Sequence, residues 1–133
     1  VDQPLFFDGT LYENLTYGVG HQKPSDFDGK SSMRLRRSSD VDGDMRRVVQ
    51  ICEMLGLSED ILRYVQSTES QRWKAVLSST DSYILNLARA LITNPQVLCI
   101  HKPTMLFDAI ASRRILEILK RFVDERGLAQ AQP

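Results

Sequence analysis

The reading of the fold turns on Leu77–Pro95, LSSTDSYILNLARALITNP, and on the residues that follow it, QVLCIHKPTMLFD over 96–108. Ile84, Leu87, Ala88 and Leu91 recur at i, i+3, i+4 and i+7, so the spacing predicts an amphipathic helix from about Thr80 to Ile92. Pro95, behind Asn94, ends it, because proline has no N–H to continue the ladder and restricts the residue before it. The apolar run VLCI, Val97 to Ile100, is bounded by polar residues and reads as a short strand covered on both faces. A last helix is expected from about Ile110 to Glu125, with Ile115, Leu119 and Phe122 on one side and Gly127 as its stop.

Upstream of this stretch, Asp44 is placed to cap a helix through Leu55, which Gly56 closes. Val48, Ile51, Cys52 and Leu55 form its packing stripe. Ser58 starts a second short helix with Ile61, Leu62 and Val65 as its apolar residues. Residues 66–77 are polar and read as irregular, although the Trp73 ring needs a surface to cover it. In the opening segment VDQPLFFDGTLYENLTYG, Asp8 and Gly9 mark a turn. Thr10 and Glu13 form a capping box for a helix over Leu11–Thr16. Residues 19–43, rich in Gly, Ser, Asp and basic side chains, read as an exposed, mobile insertion. Its RLRRSS string admits two readings, a solvated basic patch or a phosphorylation switch at Ser38 and Ser39 that pairs with Arg36 or Arg37. Residues 129–133 read as a frayed tail.

The fold class expected is predominantly α with one short buried β-strand. That inventory contains a physical conflict, since a lone strand leaves both edges unpaired. Either further strands come from polypeptide outside these residues, or a partner covers the strand, and the isolated chain is expected to be marginally stable.

At 133 residues the chain suits one domain, and 42% hydrophobic with 26% charged residues excludes a wholly disordered chain. A formal net charge of zero removes the simplest case for a nucleic-acid binder. Cys52 and Cys99 both lie in apolar runs and read as buried free thiols, and no Cys/His cluster stands at zinc spacing. No apolar run approaches the roughly 20 residues of a membrane span, so a membrane role would run through a partner.

Three blocks, in order, resemble the nucleotide-binding domain of ABC transporters of the exporter type. VDQPLFFDGTLYENLTYG is similar to the Q-loop segment and places Gln3 on the family's glutamine. LSSTDSYILNLARALITNP resembles the LSGGQ signature and its helix, and QVLCIHKPTMLFD resembles the Walker B strand and D-loop. The resemblance implies a partial P-loop NTPase α/β fold, with residues 44–95 as the helical subdomain and 96–126 as a strand and helix of the core subdomain. Within residues 1–133 there is no Walker A loop.

Carried over position by position, the departures outweigh the matches. The family's two signature glycines, which let backbone N–H groups approach a γ-phosphate, are Ser79 and Thr80 here. Ser78 is retained, and Asp81 replaces the usual glutamine. Asp81 also has a structural reading, as a charge favourable near a helix start. The Walker B carboxylates, which would hold magnesium and orient water, correspond to His101 and Lys102. Imidazole is a poor ligand for magnesium, and an ammonium is no base at neutral pH. Lys102 reads as a structural or surface residue, or as an electrostatic contact for a phosphate. Asp108 matches the D-loop aspartate, which in the family faces a second nucleotide-binding domain.

The expectation is therefore a non-catalytic, ABC-like accessory chain that binds protein partners in a larger assembly and needs no cofactor. The alternative is the degenerate half of an ATP-driven transporter, with ATP and magnesium held only in a composite site with a second nucleotide-binding domain, beside a transmembrane protein. Both place the chain inside a cell or organelle, at a membrane through partners only. Direct nucleic-acid binding and membrane insertion are not expected.

Overall fold

The computed structural model describes residues 4–19 and 42–130. Gln3, Ser38, Ser39 and most of the expected insertion lie outside the described residues. Six helices are present among those described: α1 (Leu11–Thr16), α2 (Met45–Met54), α3 (Glu59–Gln66), α4 (Trp73–Val76), α5 (Ser79–Ile92) and α6 (Ala109–Asp124). α5 packs against α1 and α2, and α3 closes on the same pair from the other side. Leu11, Leu15, Val48, Ile51, Leu85, Ala88 and Leu91 are wholly buried between them.

Local chemistry explains where the helices begin and end. At α1 the capping box is complete: Thr10 Oγ1 accepts from the Glu13 amide at 3.0 Å, and Glu13 Oε2 accepts from the Thr10 amide at 3.0 Å. α2 closes through Gly56 at φ +83°, whose N–H reaches Glu53 O while Leu57 N–H reaches Cys52 O. That is a Schellman closure, and only glycine adopts its left-handed residue without steric cost. α6 ends the same way, but Arg126 at φ +55° takes the left-handed place and Gly127 follows it, donating to Phe122 O at 3.0 Å. Asp44 and Ser58 occupy their N-cap positions without a side-chain capping bond.

The expected mixed α/β fold is not what forms. Val97–Ile100 is not a strand, and the β pairing among the described residues is one isolated antiparallel bridge, Gly9 with Gln71. Val97 is 78% exposed and Cys99 is exposed rather than buried. A β-branched, apolar tetrapeptide has strand propensity, but a strand exists only where a neighbour accepts its ladder, and no described segment lies alongside to do so. Three smaller corrections accompany this one. Residues 73–76 form a helical turn inside the segment expected to be irregular. Leu85, absent from the expected stripe, is wholly buried in α5, whereas Leu87 is only partly buried. Ala129, expected in a frayed tail over 129–133, packs partly buried on the core, while residues 131–133 lie outside the described residues.

Two buried polar side chains tie the helices together. Arg47 on α2 is 4% exposed. Its Nε donates to Leu128 O at 3.0 Å, Nη1 to Ile92 O at 2.8 Å and to Asp42 O at 2.7 Å, and Nη2 to Leu91 O at 3.4 Å. Ile92 O at the end of α5 is thereby satisfied by a cation at the negative end of the helix dipole, while Leu91 O also accepts from Asn94 N–H at 3.1 Å. Burial lowers the Arg47 pKa while Asp42, at 3.8 Å, opposes the shift. Asn14 holds the opening segment to α1: Phe7 N–H donates to its Oδ1 at 2.9 Å, and its Nδ2 donates to Phe7 O and Thr10 O. Trp73, 1% exposed, covers its ring edge-on against Tyr64 and donates from Nε1 to Gly9 O at 2.9 Å.

Replacing Arg47 by Met should cost about 3 kcal/mol or more, because it strands buried carbonyls that no methionine can satisfy. Arg47→Lys should recover only part of this, since a lysine lacks the planar fork. Urea midpoints of the three proteins measure the order, and equal midpoints would refute it.

Candidate functional site

Two places gather the polar residues singled out in the sequence. The first is the start of α5. Ser78 is the N-cap, and its hydroxyl is engaged in both directions: Oγ accepts from the Asp81 amide at 3.0 Å and donates to Asp81 Oδ2 at 2.7 Å. Serine at the cap and a carboxylate three residues on form a reciprocal closure, and the Asp81 charge is favourable against the positive helix end. Ser79 and Thr80 stand exposed in the first turn, each carrying a side chain where a backbone approach to phosphate would need none.

The second place is the segment between α5 and α6. Asn94 at φ +49° and Pro95 end α5, and Lys102 at φ +51° turns the chain again, its carbonyl accepting from Met105 N–H at 3.3 Å. His101 and Lys102 are both exposed. Between residues 98–107 and the side of α5 lies a cleft of about 350 Å³. Tyr83, Leu87 and Ala90 form its α5 wall, and Leu98, Ile100 and Phe107 lie across from them. His101, Lys102 and Cys99 also line it, and among the described residues no Asp or Glu does.

Asp108 belongs to neither group. It is the N-cap of α6, with its side chain accepting from Ala111 N–H at 2.7 Å and its carbonyl from Ser112 N–H. The structure thus brings Ser78 and Asp81 into contact, sets His101 and Lys102 together on the cleft, and commits Asp108 to a helix start. No group of three or more His, Cys, Asp or Glu among the described residues is arranged to hold a metal ion. No described helix is long and apolar enough to cross a membrane.

Sequence reasoning missed the cleft, because its two walls are separated by the turn at Asn94 and Pro95 and no local pattern announces their approach. It also missed Arg47, which the basic Arg46–Arg47 pair disguises as surface. The only available signal was its position one residue before the apolar stripe that starts at Val48.

No protein-family model matches the chain. Among curated proteins it is 31% identical over 83 residues to the methionine import ATP-binding protein MetN of Bifidobacterium longum, a match covering 62% of this chain and 18% of that protein. It is 29% identical over 124 residues to the molybdenum import ATP-binding protein ModC of Shewanella oneidensis, covering 93% and 26%. It is 24% identical over 118 residues to the mating factor M secretion protein mam1 of Schizosaccharomyces pombe, covering 89% and 7%. The chain is thus similar over part of its length to ATP-binding proteins of ABC transporters. It spans about a quarter or less of the length of these relatives.

Two measurements check the local chemistry. Ser78→Ala should lower stability by about 1 kcal/mol through loss of the cap, read as a fall in thermal midpoint. Burial, with Glu53 adding to it, pushes the Cys52 thiol from its ordinary 9.0 up to about 12. Its contribution to stability is fully present below pH 9 and is lost as pH rises toward about 12, because only the unfolded chain gains by ionising the thiol. The urea midpoint should therefore fall less steeply above pH 9 in Cys52→Ala than in the parent, and parallel curves would contradict the assignment.

Proposed function

We propose that this chain is a non-catalytic relative of ABC transporter ATP-binding proteins and acts through protein contacts in a larger assembly. The observation that carries this reading is the chemistry of His101 and Lys102. They hold the positions that the resemblance assigns to the magnesium ligand and its neighbouring carboxylate, and both lie exposed on a loop. Magnesium takes oxygen ligands in a near-octahedral shell, so an imidazole beside an ammonium does not fit it. Ser79 and Thr80 add side chains at the helix start, and the Ser78 hydroxyl is already used by Asp81. The residues present do not suit magnesium–ATP, and no hydrolytic step is assigned to them.

A contact role draws on α6. Ile115, Ile118 and Phe122 are buried on one face, while Leu116 at 53% and Val123 at 70% exposure stand seven residues apart on another. Two apolar side chains at that spacing share a helix face, and their burial would be favourable by about 25 cal/mol per Å². The match covers 18% of MetN and 7% of mam1, so the natural occupant of this face is protein of the same ATP-binding architecture.

A second reading stands beside this one. The match to ModC runs over 93% of the chain, which favours the degenerate nucleotide-binding half of a transporter, with ATP and magnesium held only against a partner domain and with a transmembrane protein in the complex. In that arrangement Asp108 would face the partner domain, and Ser38 and Ser39 would offer a regulatory point.

Phosphate release from magnesium–ATP by the protein purified from its native source tests the reading. No release above buffer is expected. Magnesium-dependent release that falls when Lys102 or His101 is substituted would overturn it. Release unaffected by those substitutions, from an assembly whose subunit mass far exceeds 15.2 kDa, would favour the transporter half. In either assembly, Leu116→Glu with Val123→Glu should lower the native mass by releasing the partner.

A further inference from the structure

The cleft between α5 and residues 98–107 has a composition that neither contact reading uses. Its volume, about 350 Å³, is at the lower end of the range of pockets that enclose small ligands. At about 30 Å³ per water-sized group it holds about a dozen heavy atoms. The walls are apolar, from Tyr83, Leu87 and Ala90 on the rigid helix and Leu98, Ile100 and Phe107 on the opposite segment. Among the described lining residues the charge is of one sign: Lys102 is the cation, His101 is a second nitrogen donor, and no carboxylate is present.

The backbone at Lys102 is held at φ +51°, a conformation that costs a non-glycine residue about 1–2 kcal/mol. Such a residue persists only where its surroundings over-determine it, and these places cluster at ligand sites. The turn is fixed by the bonds from Met105 N–H to Lys102 O and from Phe107 N–H to Thr104 O.

We propose that this cleft binds a small amphipathic anion, with an apolar body of about ten carbons between α5 and residues 98–107 and a single carboxylate or similar group at Lys102 and His101. An apolar interior with one positive side matches that chemistry, since the body leaves water while the head keeps a charged partner at the rim. An uncharged chain would lack the polar contact, and a short carboxylate would lack the burial.

Cys99 lies on the cleft lining and is exposed, whereas Cys52 is buried with its thiol pushed up to about 12. The two cysteines make an internal comparison. Iodoacetamide should alkylate Cys99 and leave Cys52 unmodified in the native protein, as read by peptide mass. Decanoate, kept below the concentration at which it forms micelles, should slow alkylation of Cys99. Acetate should not slow it, and decanol should do so only weakly. Lys102→Glu, with an unchanged far-ultraviolet dichroism spectrum, should raise the decanoate concentration for half-protection by about five- to ten-fold, and Lys102→Arg should restore it. Absence of protection by decanoate, or equal protection in Lys102→Glu, would overturn the proposal. So would a Cys99 that resists alkylation without decanoate in the natively isolated protein, since another polypeptide would then cover the cleft.

Discussion

Arg47 is buried with its guanidinium divided among four carbonyl oxygens, and the positions of α2, α5 and the chain end all depend on that division. A helix leaves its last carbonyls without helical partners, and at α5 Asn94 N–H meets only Leu91 O, while Leu91 and Ile92 are fully buried. One side chain with a rigid fork of donors meets them and also reaches Leu128 O, 81 residues away in sequence. Removing a charge of this kind from water is costly, and the cost is recovered only because the neighbouring carbonyls and Asp42 are already in place. The interaction therefore couples local helix ends to the global fold, and that coupling makes α2 and α5 a single unit.

The same economy of caps runs through the residues that the ABC resemblance singles out. Ser78 and Asp81 close α5, and Asp108 closes α6 at the other end of the connecting segment. A hydroxyl already engaged as both donor and acceptor, and a carboxylate already receiving a bond, are stabilising in place. That is enough to account for these residues without a nucleotide. The side chains of His101 and Lys102 close no helix and line the cleft instead. Helix architecture and the chemistry at residues 101 and 102 can thus vary separately, because the two demands fall on different atoms.

The segment 96–107 shows how far a local pattern can be carried. VLCI has the composition of a covered strand, yet Val97 and Cys99 are exposed, and residues 98–100 instead line the cleft. Propensity there is real but conditional, since a strand is stabilised by its neighbours rather than by itself. Where the pattern concerned a helix, the expectation and the outcome agree to within a residue or two, as at Leu11–Thr16 and at Ala109–Asp124. Helical hydrogen bonds close within four residues, so the sequence carries both partners of each.

What the sequence by itself determined is therefore the local part: the helices, the Thr10–Glu13 box, the Gly56 closure and the partial similarity to ABC ATP-binding proteins. These depend on side-chain chemistry within a turn or two, or on residue identity alone. The tertiary structure alone decided that Arg47 is interior, that Trp73 is pinned to Gly9, that Cys99 is exposed while Cys52 is not, and that α5 and residues 98–107 enclose a cleft. Each joins groups far apart in the chain or across a reversal of its direction, and burial and long-range hydrogen bonds exist only once the helices have met.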